Sequence, residues 1–125
     1  MPPDPGTQMR LQPTPSAAAT ARRRVAEACR GRLSDEATET ARLLVSELVT
    51  NCVLHAHSMI TLAIDCTDEA IAVAVTDDAD ELPVVKQPTD EAYNGRGMWL
   101  VDNLAGDWGI QPREDGGKIV WFRLP

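Results

Sequence analysis

The chain has 125 residues, which suits one domain that buries its own hydrophobic core without disulfides or a structural metal. Its formal net charge of -7 at pH 7 argues against a nucleic-acid-binding protein, because such a surface needs clustered Lys and Arg to neutralise phosphates. Proteins or small molecules are therefore the expected partners.

The cysteines and the amino-terminal segment bear on cellular location. Cys29, Cys52 and Cys66 are odd in number and lack metal-ligand spacing, so we expect small core residues in a reducing compartment. The first ten residues contain no apolar signal-peptide core, and no run approaches the ~18 apolar residues of a membrane span. We expect a cytoplasmic protein, neither secreted nor inserted in a membrane.

The first third of the chain predicts a strand and two helices. Residues 1–8 combine prolines and a glycine with polar residues, which predicts a flexible tail ahead of a domain at 9–125. Residues 9–12 are predicted to form a short edge strand. Ser16 is expected to cap a helix that ends near Gly31, and Ser34 to cap a longer one that runs to about residue 55 or 56.

The remainder predicts two hairpins that flank a third helix. Segments 59–65 and 70–76 alternate like strands, and a long loop follows as far as residue 94. A helix at 98–104 precedes strands at 108–111 and 118–124. This order predicts an α+β fold: a two-layer α/β sandwich with a mixed, mostly antiparallel sheet covered on one face by helices.

The long helix contains the first candidate site. Glu47, Asn51 and His55 are four residues apart, so they share one stripe beside the apolar face. A polar stripe at the edge of a core favours a polar ligand, because buried polar groups need partners. The alternative is the solvated edge of an amphipathic helix.

Two further candidates follow the long helix. Asp77 lies where a strand gives way to loop, where a carboxylate can accept a hydrogen bond from an exocyclic amine such as that of adenine. Gly95, Arg96 and Gly97 precede a helix, whose N-terminal N–H groups favour phosphate. Asp is common after strands, and a lone GxG can equally mark a turn with positive φ.

Other chemistries find little support in the sequence. Cys52, His55, His57 and Cys66 match no common zinc-site spacing, and the acidic segment 77–81 lacks the glycine and terminal glutamate of an EF-hand. Ser46 and Ser58 have no His-and-acid partnership, so nucleophilic catalysis is not expected.

Three segments in this order resemble the histidine-kinase-like ATPase family, the GHKL group: ELVTNCVLH at 47–55, VTDDADELP at 75–83 and GRGMWLVDNLAGDWG at 95–109. The likeness points to its bacterial branch of anti-sigma-factor serine/threonine kinases and small regulatory ATP-binding proteins. It extends from about residue 9 to residue 125. The resemblance implies a Bergerat-type fold that holds ATP with Mg²⁺ between sheet and helices.

The resemblance also implies roles for individual residues. Glu47 is similar to the general base, Asn51 to the Mg²⁺ ligand and Asp77 to the adenine-recognising carboxylate. His55 ends the motif that contains Asn51 and has no assigned catalytic role. The nucleotide-binding segment that would close over the phosphates comprises Gly95, Arg96, Gly97 and Met98.

One departure from the family bears on ATP affinity. The first glycine motif of the family reads Asp-x-Gly, whereas here Ala79 stands in place of the glycine and acidic residues surround it. Carboxylates near a triphosphate repel it unless a metal screens them or they point away. Only modest ATP affinity is therefore expected.

Three functions remain open. The first is a Mg²⁺-dependent protein kinase that phosphorylates a serine or threonine of an antagonist protein and sequesters a sigma factor or similar regulator, in a branch whose kinases are usually homodimers. The second is a non-catalytic protein-binding module with a degenerate nucleotide site. The third is ATP hydrolysis, since the same base could activate water.

Overall fold

Three helices and five strands form an α+β fold in the computed structural model, which describes residues 7–55, 58–78, 96–114 and 116–125. The elements are β1 (Thr7–Leu11), α1 (Ala17–Cys29), α2 (Asp35–His55), β2 (Ile60–Cys66), β3 (Ile71–Asp77), α3 (Arg96–Leu104), β4 (Asp107–Pro112) and β5 (Lys118–Leu124). The predicted fold class is therefore confirmed.

The five strands form one open sheet in the order β1-β2-β3-β5-β4. Each pairing between the described strands is antiparallel, where the sequence predicted a mixed, mostly antiparallel sheet. The strand β5 lies between β3 and β4. It therefore pairs on one side with the strand that directly precedes it in the sequence, and on the other side with a strand far upstream. This arrangement brings the carboxyl end of β3 beside the amino end of β5.

The core lies between one face of the sheet and the helices. Alternate residues of the strands point to this face, as the period of two in a strand requires. The helices contribute the small or branched residues that recur at three-and-four spacing, so both layers share one apolar cluster. Its fully buried large side chains include Val25, Leu44, Val49, Leu62, Val73, Met98 and Phe122.

The opposite face of the sheet is built around Trp121. Its side chain is 6% exposed and packs with Ala63 and Ala74. A Cβ atom at Gly109 would lie 2.8 Å from the indole, so only glycine leaves room for the ring on β4. Small residues on three neighbouring strands therefore accommodate one large aromatic ring.

The two serines that were expected to cap helices behave differently. Ser34 accepts a hydrogen bond from the backbone N–H of Ala37 at 3.1 Å, as predicted. Ser16 precedes α1, but its backbone is already helical (φ -80°, ψ -9°) and its hydroxyl is paired with that of Thr14 at 3.0 Å. The start of α1 was predicted correctly and the side-chain cap was wrong, because a capping side chain normally needs an extended backbone.

Some boundaries differ from those predicted. The strand β1 begins at Thr7, inside the segment 1–8 that was expected to be a tail, because Thr7 and Gln8 pair with Ile64 and Ala63 of β2. Residues 1–6 and most of the predicted loop that ends at residue 94 lie outside the described residues. No helix in the described part of the chain is both long and apolar enough to cross a membrane.

Candidate functional site

Asp77 is the last residue of β3 and lies on the core side of the sheet. Its register partner on β5 is Lys118, and both side chains point to the face that also holds Val75 and Val120. The Lys118 ammonium donates to the two carboxylate oxygens of Asp77 at 3.0 and 3.2 Å. The two residues are only 3% and 7% exposed, so this is a buried ion pair at the edge of the core.

A cysteine connects the same carboxylate to the long helix. The thiol of Cys52 on α2 donates to Oδ2 of Asp77 at 3.0 Å. Burial, and after it the hydrogen bond to Asp77 and its negative charge, raise the pKa of Cys52 well above its ordinary value. The group therefore stays a protonated thiol, which is the form that can donate to a carboxylate.

Glycine at position 117 allows β5 to approach the end of β3. Gly117 has φ +82°, and a Cβ atom there would overlap the backbone of Asp77. Residue 117 directly precedes the lysine of the ion pair. A close backbone approach thus holds Asp77 and Lys118 in register.

The polar stripe predicted on α2 runs along the edge of the core. Glu47 and Asn51 are half-buried, whereas His55 at the carboxyl end of the helix is exposed. Asn51 directly precedes Cys52 in the helix, so the contact between Cys52 and Asp77 places the stripe near the end of β3. The stripe and Asp77 therefore belong to one region, at the junction of α2 with the sheet.

The segment expected to contact phosphate lies only partly in the described structure. Gly95 is outside it, whereas Arg96 and Gly97 begin α3 with helical backbone. Because Gly97 is helical, the alternative of a turn with positive φ does not apply to it. The side chain of Met98 is buried in the core, so any contact of Met98 with an anion would have to come from its backbone N–H at the start of α3.

A comparison with protein-family models decides the class of this domain. Residues 11–124 match the model described as a histidine kinase-like ATPase domain. The chain belongs to this family. No curated protein matches it at a significant level.

A solved structure has the same fold as this histidine kinase-like ATPase domain. It is the histidine kinase domain of the blue-light activated histidine kinase from Erythrobacter litoralis EL346, with 22% identity and a TM-score of 0.57. The match covers 88% of this chain and 59% of that one, so the chain spans little more than half of that domain. At this identity the likeness concerns the fold.

Membership of the ATPase family implies ATP binding, and the residues at the site fit that ligand. The Asp77 carboxylate is an acceptor that suits the exocyclic amine of adenine. The Asn51 carboxamide is half-buried and makes no hydrogen bond to any described residue, so its oxygen suits a divalent cation bound to phosphate. Within the described ranges, no three His, Cys, Asp or Glu side chains form a metal cluster of their own.

Two features of this candidate site were not predicted from the sequence. Lys118 follows two glycines and begins an alternating strand, so the alternation itself puts it on the same face as Val120 and Phe122. That signal was available and pointed to a buried lysine. The hydrogen bond from Cys52 to Asp77 had no signal, because it joins residues 25 apart in sequence.

Ser46 takes part in a contact between two helices. It accepts a hydrogen bond from the guanidinium of Arg22 at 2.8 Å, which joins α1 to α2. The polar side chain on the inner edge of α2 is thereby satisfied without a ligand.

Proposed function

We propose that this domain binds ATP with Mg²⁺ and transfers the γ-phosphate to a serine or threonine of an antagonist protein. In this proposal the domain acts as a cytoplasmic anti-sigma-factor kinase, which sequesters a sigma factor or similar regulator and works as a homodimer.

The observation that supports this proposal best is the buried carboxylate of Asp77 beside α2. The thiol of Cys52 lies 3.0 Å from it. Cys52 directly follows Asn51, and Asn51 lies one helical turn beyond Glu47. An acceptor for a base, an amide oxygen for a cation and a carboxylate for a proton thus lie on adjoining elements. Phosphoryl transfer depends mainly on positioning and electrostatics, and these are the group types that it uses.

Each residue has a distinct part in the proposed reaction. Asp77 binds the base, and Asn51 holds the cation that neutralises charge on the phosphates. Glu47 accepts the proton of the attacking hydroxyl. The hydroxyl oxygen bonds to the γ-phosphorus, the bond from this phosphorus to the bridging oxygen breaks, and ADP leaves. The N-terminal N–H groups of α3 favour the negative charge of the phosphates.

The alternative function is a protein-binding module that does not turn over nucleotide. Two observations favour it: Asp77 is already paired with Lys118 inside the protein, and Ala79 replaces a glycine of the family motif. A carboxylate with an internal cation can be a stable structural feature without any nucleotide.

Incubation of the domain with γ-labelled ATP and Mg²⁺, with and without its antagonist protein, tests the proposal. The kinase function predicts label on the antagonist, only when Mg²⁺ is present. Label released as inorganic phosphate would indicate hydrolysis instead. If the antagonist binds but neither labelled antagonist nor labelled phosphate forms, the domain is a binding module.

A further inference from the structure

Lys118 is buried although lysine is among the residues least often found inside proteins. Removing two charges from water is costly, and apolar residues of similar volume often replace a buried ion pair without loss of stability. A contribution to stability alone therefore does not explain why Asp77 and Lys118 are buried as an ion pair. The pair places a donor and an acceptor side by side at the edge of the core.

This donor and acceptor match one particular edge of a nucleobase. Adenine presents its exocyclic amine, a donor, directly beside N1, an acceptor. Guanine presents the opposite order, a carbonyl oxygen beside an N–H. The Asp77 oxygens lie 3.0 and 3.2 Å from the Lys118 ammonium, so the acceptor and the donor are close enough together to contact the amine and N1 of one adenine.

We propose that Lys118 is a second base-reading residue, whose ammonium donates a hydrogen bond to N1 of adenine while Asp77 accepts one from the exocyclic amine. An ammonium has three N–H donors and a carboxylate has about four acceptor positions, so the two can contact a base and stay paired. The proposal rests on the proposed function for its ligand, ATP.

The backbone supports this arrangement. Asp77 and Lys118 are direct register partners, and Gly117 keeps the two strands in close approach. The Cys52 thiol fixes the carboxylate from the helix side. A lysine held in this way loses less freedom when the base binds than an exposed lysine would.

The competing explanation is that Lys118 serves only as the counter-ion of Asp77. Replacing Lys118 would weaken ATP binding under both explanations, so affinity for ATP alone does not separate them. The ligand atom N1 does separate them, because only a base-reading lysine contacts it. The analogue 1-deaza-ATP has a C–H group in place of N1 and keeps the exocyclic amine.

The test is calorimetry of ATP and 1-deaza-ATP with the wild type and with Lys118→Met. We expect the wild type to bind ATP roughly ten- to a hundredfold more tightly than 1-deaza-ATP, as for loss of a charged hydrogen bond. Lys118→Met should bind the two equally. The control Arg123→Met, which removes an exposed cation on the other face of β5, should keep the wild-type ratio.

Several outcomes would overturn the proposal. One is a wild type that does not distinguish the two ligands, and another is a Lys118→Met protein that still does. If Lys118→Met does not fold, Lys118→Arg takes its place: it keeps a positive charge beside Asp77, but its planar fork directs N–H groups elsewhere, so the ratio should fall. An unchanged ratio in Lys118→Arg also counts against the proposal.

The calorimetry also distinguishes this proposal from the proposed function. ATP binding with the expected ratio but no phosphate transfer would leave Lys118 as a base-reading residue and refute the kinase. A wild type that binds no ATP at millimolar concentration would refute both.

Discussion

A Cβ atom at Gly117 would overlap the carbonyl oxygen of Asp77 and lie 2.6 Å from Cα of Asp78. Gly117 also has a positive φ of 82°, which residues with a side chain rarely adopt. Two separate constraints thus act on one glycine, the backbone conformation and the close approach. Both affect the strand end that positions the Asp77 carboxylate.

Gly117→Ala is expected to destabilise the domain more than Gly31→Ala. Gly31 has a similar φ of 74° but no atom within 4 Å of an added Cβ, so it reports the backbone cost alone. We expect about 1–2 kcal/mol for Gly31→Ala and a further ~1–3 kcal/mol for Gly117→Ala. Urea denaturation measures both, and calorimetry should show weaker ATP binding only in Gly117→Ala. Equal losses of stability in Gly117→Ala and Gly31→Ala would mean that β5 can move away from Asp77 without a cost in free energy.

The ion pair between Asp77 and Lys118 should show strong coupling in a double-mutant cycle. Removing one partner leaves a buried charge, so Asp77→Leu or Lys118→Met alone should cost about 3–5 kcal/mol. The double variant should be more stable than either single variant, because no buried charge remains. Denaturant titration of the four proteins checks this. Additive losses would show that the two side chains do not interact in solution.

The buried pair of Asp77 and Lys118 shows which features of the site could be predicted from the sequence and which could not. Local patterns predicted β5 at its observed bounds, because Lys118–Leu124 alternates and follows two glycines. They also put Asp77 at a strand end. Local patterns could not predict the pairing of Asp77 with Lys118, because it depends on the register between two strands and joins residues 41 apart in the sequence. The predicted first strand began at residue 9 instead of Thr7 for a similar reason, because the partner of Thr7 in the sheet lies on β2.

Glu47→Gln tests catalysis separately from binding. The amide keeps the shape of the side chain but cannot accept the proton, so phosphate transfer should fall about a hundredfold or more. The dissociation constant for ATP should barely change, as for an interaction made in the transition state. Glu39→Gln is the control, because Glu39 is an exposed residue of the same helix paired with Arg42. A Glu47→Gln protein that transfers phosphate at the wild-type rate would place the base elsewhere.

Asn51→Ala tests the proposed cation site through thermal stability. ATP with Mg²⁺ should raise the melting temperature, since a ligand at a hundredfold excess over its dissociation constant stabilises the folded state by about 2.7 kcal/mol. Asn51→Ala should remove most of the Mg²⁺-dependent part and little of the rest. Asn103→Ala, which removes an exposed carboxamide bonded to the backbone of Trp99, should change neither. A full Mg²⁺ effect in Asn51→Ala would exclude Asn51 as the ligand.

Cys29 and Cys66 should form a disulfide when a small disulfide such as oxidised glutathione is added. Their sulfur atoms are already 3.7 Å apart, and a disulfide bond needs about 2.05 Å. The two thiols lose two hydrogens and the added disulfide is reduced to two thiols. Burial raises the pKa of Cys66 to about 12, so its reactive thiolate, and with it the rate, should increase about tenfold per pH unit between pH 8 and 10.

Mass spectrometry under denaturing conditions measures this oxidation. The domain should lose two mass units and retain one alkylatable thiol, that of Cys52. Cys29→Ser should abolish the intramolecular bond, whereas Cys52→Ser should leave it intact. Failure of the wild type to cross-link at pH 10 would show that the two sulfur atoms do not approach each other in solution.

The order of the strands has a consequence for the growing chain on the ribosome. Until β5 is synthesised, β3 is an open edge that lacks the cross-strand partners of Val73, Val75 and Asp77. The strand that completes the site is the last of the sheet to be made, and it must insert between two earlier strands. The pair of Asp77 and Lys118 therefore forms late in synthesis, and a chain stalled before residue 118 leaves one edge of β3 unpaired, which favours aggregation.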